Sequence, residues 1–179
     1  MTPTGIRVLT PAETTRIAPD LGGLLCDAVD DGASIGFLAA LTQQLATDYW
    51  RLLATDPRGR VVLVAEDAQG LTGAVIVAPI DNEIQAHRAE VFKMVVHRRA
   101  RSHGIGAALM RAAEAQAANM GKTLATLFTR NGCPAERLYV RLGWTKVGVI
   151  PDDSVKPDGT LCDAAVFYKR VAPCSPATE

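Results

Sequence analysis

EVFKMVVHRRARSHGIGAA, residues 90–108, is the stretch whose reading decides the fold. An apolar run reaching Val96 reads as the end of a strand, a basic loop follows, and Gly104 and Gly106 open a helical pattern. Glycines there let the backbone turn sharply and let a ligand approach without a Cβ in the way. The first N–H groups of a helix have no partner within it, and its dipole is positive at that end. Together they make a cradle for phosphate. Arg98, Arg99, Arg101 and His103 add charge in the same place. Two other phosphate motifs fit worse: the P-loop needs a Gly-Lys-Ser/Thr end, and the dinucleotide fingerprint needs a third glycine where Leu109 stands. On spacing alone, a plain left-handed turn among solvated arginines fits equally well.

Outward from this stretch, the N-terminal side gives a short strand at 5–10 and a helix across 20–31. A turn bracketed by Gly32 and Gly36 follows, then a second helix carrying Leu38, Leu41, Leu45, Tyr49, Leu52 and Leu53 at three- and four-residue spacing. Pro57 and Gly59 stop it. The runs VVLVA (61–65) and AVIVA (74–78), separated by Gln69-Gly70, have a hairpin signature. On the C-terminal side a long helix runs from Gly104 to Gly121 with Ile105, Leu109, Ala112 and Met120 on one face. A strand at 123–128, a short helix at 135–142 and strands at 144–150 and 164–171 complete the pattern, the last two joined through the turn Pro157-Asp158-Gly159. Helices, then an antiparallel meander, then a βαβ-like unit imply an α+β fold with a mixed sheet. One domain covers 1–171, and APCSPATE (172–179) reads as a disordered tail.

Of the 179 residues, 48% are hydrophobic and 21% charged, a globular composition. A formal net charge of +0 offers no general pull toward nucleic acid or an acidic membrane, so any anion site must be local. No apolar run approaches the roughly 20 residues that span a bilayer. The scattered cysteines 26, 133, 162 and 174 form no CxxC pair and read as reduced thiols of a cytoplasmic protein. His87, His97 and His103 lack metal-ligand spacing, so no metal is expected. Trp50 and Trp144 read as core or rim residues, Cys133 as a packed thiol, and Asp152 and Asp153 as solvated loop charge.

The segment Arg101-Ser102-His103-Gly104-Ile105-Gly106-Ala107 resembles the Arg/Gln-x-x-Gly-x-Gly/Ala signature of the GCN5-related N-acetyltransferases (GNAT family). Met94-Val95-Val96 stands where that family has its Leu-x-Val strand end. The run Ala135 to Trp144 is similar to its A-x-x-F/L-Y-x-x-x-G-F element. The resemblance implies a mostly antiparallel central sheet flanked by helices and splayed at the strand pair that binds acetyl-CoA. It also implies acetyl transfer to an amine. Backbone groups of Met94, Val95 and Val96 would hold the pantetheine arm, as an added strand would, with Val95 or Val96 also offering an N–H to the oxyanion. Ser102, His103, Gly104, Ile105, Gly106 and Ala107 would offer N–H groups to the pyrophosphate. Arg101 would reach phosphate or, equally, hold the loop together.

By the same resemblance Tyr139 donates the proton that the departing thiolate needs, against the plainer reading of a core aromatic on a short helix. Glu90 is the expected base, on a strand face shared by alternation with Phe92, Met94 and Val96. Apolar neighbours would raise its pKa, and a bridging water would carry the proton over the distance to Val95. The plainer reading of Glu90 is a surface carboxylate paired with Arg88 or Lys93. Likeness to a toxin-resistance branch of the family, in 32–37, 88–91 and 157–159, points to Ser34, Phe37, Phe128 and Arg130 as acceptor contacts. Leu127 to Arg130 is apolar and basic where that branch is acidic, so its substrate does not carry over. Two further departures are Gly132 where many relatives have a cofactor-binding asparagine (Asn131 is one position off) and Ser102 in place of a usual glycine.

The expected partner is a small-molecule primary amine, amino acid-like or antibiotic-like, attacked in a ternary complex by a monomer or homodimer. A protein or peptide N-acetyltransferase and a non-catalytic acyl-CoA sensor are the competing readings.

Overall fold

A computed structural model of the protein describes residues 5–33, 35–37, 41–156 and 159–171. Ser34, Leu38, the turn residues Pro157 and Asp158, and the tail 172–179 lie outside the described residues, and with them the expectations that fall there. Strand β1 (Gly5–Leu9) ends at Thr10, which opens α1 (Pro11–Arg16) through a reciprocal capping box with Glu13. Thr10-Pro-Ala-Glu13 is the sequence signature of such a box, and α1 is an addition to the elements expected from sequence. Next come α2 (Ala18–Asp30), α3 (Gln43–Ala54), β2 (Val61–Asp67), β3 (Gly70–Pro79), β4 (Arg88–Val96) and α4 (Ile105–Asn119). The chain continues through β5 (Leu124–Arg130), α5 (Pro134–Arg141), β6 (Thr145–Val155) and β7 (Leu161–Arg170).

The strands form one seven-stranded sheet in the order β1-β2-β3-β4-β5-β7-β6. Every neighbouring pair is antiparallel except β4 and β5, which are parallel and bridged by α4. This is the α+β class with a mixed, mostly antiparallel sheet that the sequence implied.

Strands β2 and β3 are apolar along their length because both faces are covered. Leu63, Ala65, Val75 and Val77 join a core with Ile105, Leu109, Met110, Ala113 and Ala117 of α4. The alternate residues Val62, Val64, Ala74 and Ile76 join a second core with Leu21, Leu24, Leu25, Ala46, Trp50 and Leu53 of the N-terminal helices. The face of α3 corrects the sequence expectation. Its buried residues are Ala46, Thr47, Trp50 and Leu53, whereas Leu45 and Leu52 are exposed. Thr42 caps this helix through its hydroxyl, so Leu41 before it is not part of it. Trp50 contributes most to that face and is fully buried.

The second core has no buried member from β5, β6 or β7. The N-terminal helices therefore cover the sheet only as far as β4. On β5, Ala125 and Leu127 enter the α4 core, so alternation turns Phe128 and Arg130 toward the uncovered side. That boundary positions the site.

Candidate active site

The parallel ladder between β4 and β5 holds only Arg88, Ala89 and Glu90 opposite Leu124, Ala125 and Thr126. Both strands continue, to Val96 and Arg130, without pairing further with each other. The sheet splays here, and one edge of β4 from Val91 onward keeps its backbone polar groups free of a strand partner. The cause lies in β4 itself. Ala74 and Ile76 of β3 pair with Val95 and Phe92, so one extra residue is accommodated on β4, and Lys93 takes a φ of 49°. Such a bulge bends its strand and re-aims the side chains beyond it.

The bulge overturns the expected face. Glu90, Phe92, Met94 and Val96 do not share one side of β4. Phe92 packs against the N-terminal helix core, in which Val95 is buried, whereas Met94 and Val96 pack on the α4 core with Ala89 and Val91. Strict alternation fails because the period slips by one at Lys93.

Past β4 the chain makes a short 3-10 turn at Arg98–Ala100 and enters α4 through Ser102 (φ 64°) and Gly104 (φ 80°). Nothing lies within 4 Å of where a Gly104 Cβ would be, so glycine is required there for its left-handed backbone and not for space. At Gly106 the reason differs. A Cβ would meet Leu138 of α5 at 3.2 Å, so this glycine lets α4 and α5 approach. No side chain caps α4, and none of the N–H groups from Ser102 to Ala107 meets an acceptor among the described residues. Unpaired donors of this kind at a helix mouth are able to hold an anion.

The basic side chains of this loop are engaged within the protein. Arg98 donates to Asp27 at 2.5 Å, and Arg99 donates to Asp67 at 2.7 Å. Arg101 pairs with Asp31 and donates to the Val96 carbonyl at 3.2 Å. Burial pushes the Asp27 carboxyl up, but the N–H and guanidinium of Arg98 outweigh it and hold the group below its ordinary value. His97 accepts from the Arg99 N–H at 3.2 Å and so caps the turn.

A cavity of about 510 Å³ opens at the splay. Glu90, Lys93, Phe37, Phe128, Arg130 and Tyr139 all line it, bringing together the two expected catalytic residues and three of the four expected acceptor contacts. Tyr139 comes from α5 and is only 5% exposed, with its ring edge-on to Phe167 at 5.7 Å and near Trp144 at 6.4 Å. Burial raises its phenol pKa, so the hydroxyl stays protonated. Glu90 is partly buried, and burial pushes its carboxyl above the ordinary value against the opposing pull of Arg60 and Arg88. It makes no ion pair with Arg88 or Lys93, and it also lines a second cavity of about 270 Å³ with Arg58 and Arg60.

Lys93 was not singled out for the site by sequence. Its Nζ donates to the Ile35 carbonyl at 2.6 Å and sits over the rings of Phe37 (4.6 Å) and Tyr49 (4.9 Å). Burial lowers its pKa to about 8. Arg130 reaches across from β5 to the Gly32 carbonyl at 3.1 Å. Neither cation has a carboxylate within salt-bridge distance among the described residues. The only sequence signal for Lys93 was its charge inside an apolar strand. At the other departure, Asn131 accepts from Lys146 at 2.9 Å, and the Gly132 N–H donates to Glu136 at 2.5 Å.

Comparison with known proteins agrees with this architecture. Residues 58–146 match the family model described as the acetyltransferase (GNAT) domain. A ribosomal-protein-alanine N-acetyltransferase from Brucella melitensis superposes with a TM-score of 0.77 at 24% identity, covering 93% of this chain and 99% of that one. A GCN5-related N-acetyltransferase from Kribbella flavida gives a TM-score of 0.74 at 22% identity, covering 93% and 97%. A GNAT-superfamily phosphinothricin acetyltransferase from Sinorhizobium meliloti, in complex with acetyl-CoA, gives 0.72 at 19% identity, covering 100% and 93%. At these identities the structural likeness establishes the fold.

Proposed function

Because the chain carries an acetyltransferase domain of the GNAT family, we propose that it moves an acetyl group from acetyl-CoA to the primary amine of a small molecule. The observation that carries this reading is the splay of β4 from β5 after a three-pair ladder, opening beside a helix mouth with unpaired N–H groups. Acetyl-CoA fits these features. A pantetheine arm can pair with the free edge of β4 around Met94 to Val96, and a diphosphate can take the amides of Ser102 to Ala107. Its binding in the Sinorhizobium meliloti relative supports the choice of donor.

The acceptor arrives as an ammonium, its pKa being near 10. Glu90 takes that proton, directly or through a water. Its raised pKa makes it a better base for this than an ordinary surface carboxylate. The neutral nitrogen attacks the thioester carbon. A C–N bond forms, and the backbone N–H of Val95 or Val96 steadies the oxyanion. Collapse breaks the C–S bond and restores the carbonyl. Tyr139 gives its proton to the departing sulfur and recovers one from the nitrogen, so the products are the amide, the free thiol and one released proton. On reference pKa values, moving a proton from phenol to thiolate is uphill by roughly 2 kcal/mol, and the burial that raises the Tyr139 phenol adds to that cost in the free enzyme.

A cavity of about 510 Å³ has room for a compact acceptor. The test is a thiol-release assay with acetyl-CoA and a panel of small amines, beside calorimetry with coenzyme A. Turnover together with coenzyme A binding is the expected result. Binding without any turnover would favour an acyl-CoA sensor, and absence of binding would end this reading.

A further inference from the structure

We infer that the acceptor carries an anionic group of the carboxylate type near its amine, and that Lys93 and Arg130 select for it. This rests on the acetyltransferase reading above and adds the chemistry of the molecule that fills the cavity.

The argument begins with what these two side chains lack. A cation withdrawn from water is costly unless paired, and proteins ordinarily supply the partner. Elsewhere in this protein even the solvent-accessible Arg98, Arg99 and Arg101 are each matched to an aspartate. Lys93 and Arg130 line the cavity from the two splayed strands, and among the described residues each hydrogen-bonds only to a neutral backbone carbonyl. Lys93 has three donors and Arg130 five, so both keep capacity after those bonds. The rings of Phe37 and Tyr49 hold the ammonium in position by cation–π attraction but contribute no charge to cancel it. Burial, with a smaller repulsion from Arg60, lowers its pKa.

Glu90 and Asp153 line the same cavity, also without an ion-pair partner among the described residues. The cavity thus offers acids and bases that do not satisfy each other. A molecule with an amine and a carboxylate a few bonds apart complements both, its amine toward Glu90 and its carboxylate toward Lys93 and Arg130. A simple alkylamine would leave the two cations as they are. Lys93 is placed to discriminate because the bulge fixes its backbone and the aromatic pair fixes its tip.

The experiment compares L-methionine, L-lysine and L-glutamate with their primary amides as acceptors. The amides have the less basic amines and are the better intrinsic nucleophiles at neutral pH, so a preference for the free acid must come from the protein. Wild type is expected to show kcat/KM about 10- to 100-fold higher for at least one acid over its amide. Lys93→Gln should bring that ratio close to one while leaving coenzyme A affinity by calorimetry unchanged, and Arg130→Gln should reduce it partway. If Lys93→Gln lowers acid and amide alike, or if wild type uses both equally, the selection is refuted and amine acetylation stands. If no compound turns over although acetyl-CoA binds, the acetyltransfer reading fails and this inference falls with it.

Discussion

Two basic regions of this molecule lie a few residues apart and are treated in opposite ways. In the loop before α4, Arg98, Arg99 and Arg101 are each tied to an aspartate on another element. In the cavity, Glu90, Lys93 and Arg130 have no ionic partner among the described residues. The first set fixes a shape. It clamps the loop to α2 through Asp27, to the C-cap of α2 through Asp31 and to the β2–β3 hairpin through Asp67, which fixes the loop whose backbone amides are unpaired. The second set fixes no such shape through ion pairs. The number of charges in a region therefore says little about binding until their partners are known.

That contrast can be broken by experiment, and the largest effect is expected in the cavity. Tyr139→Phe should lower kcat by about 100-fold or more with coenzyme A affinity unchanged, since it removes a proton donor and little packing. Steady-state kinetics beside calorimetry reads both, and an unchanged kcat would remove Tyr139 from the reaction. Next is the helix mouth. Gly104→Val forces a β-branched residue to a φ of 80°, at a cost of roughly 1–3 kcal/mol, and should weaken coenzyme A binding by about 10-fold or more. Binding unaffected by this change would mean that the amides of the loop do not hold the diphosphate.

Glu90→Gln probes the same contrast through pH. Burial raises the Glu90 pKa in the folded protein, so the native state binds its proton more tightly than the unfolded chain does. Stability from this group is present at low pH and is lost as pH rises from the ordinary carboxylate value through the raised one. The variant should melt higher than wild type near pH 7, with the difference vanishing near pH 4, while its kcat falls. A variant no more stable at pH 7 would show that Glu90 is not desolvated in the free enzyme.

The smallest effect belongs to the paired loop. Asp27→Asn should lower the melting temperature by only about 2 °C near neutrality. Here the folded pKa is depressed, so the contribution is present above the ordinary carboxylate value and is lost as pH falls through the depressed one. Thermal melts of both proteins across pH 2–7 test the sign.

The order of elements, the single parallel crossover and the glycine-opened helix were legible in the sequence because each rests on local pattern. The bulge at Lys93 was not. A φ of 49° at a lysine leaves no glycine to mark it, and a one-residue slip is invisible to a reading that assumes strict alternation. The pairing of Arg98, Arg99 and Arg101 was equally hidden, since their partners lie 71, 32 and 70 positions away. Leu45 and Leu52 misled for another reason. Leucine spacing suggested a buried stripe, but Ala46 and Trp50 fill that place, and an exposed leucine is common enough to carry no signal. In the site, Glu90 and Tyr139 were nameable from their motifs, whereas the aromatic seat of Lys93 required Phe37, Tyr49 and β4 to be brought together by folding.

The three-rung ladder between β4 and β5 has a mechanical consequence. It divides the sheet into a four-stranded and a three-stranded part, β1 to β4 and β5 to β7, stitched by few hydrogen bonds and by α4 lying across the join. A fragment ending in the tight bend at Gly121 and a second fragment beginning at Lys122 would each carry whole strands. Co-expressed, the two pieces have a natural suture line along which to reassemble.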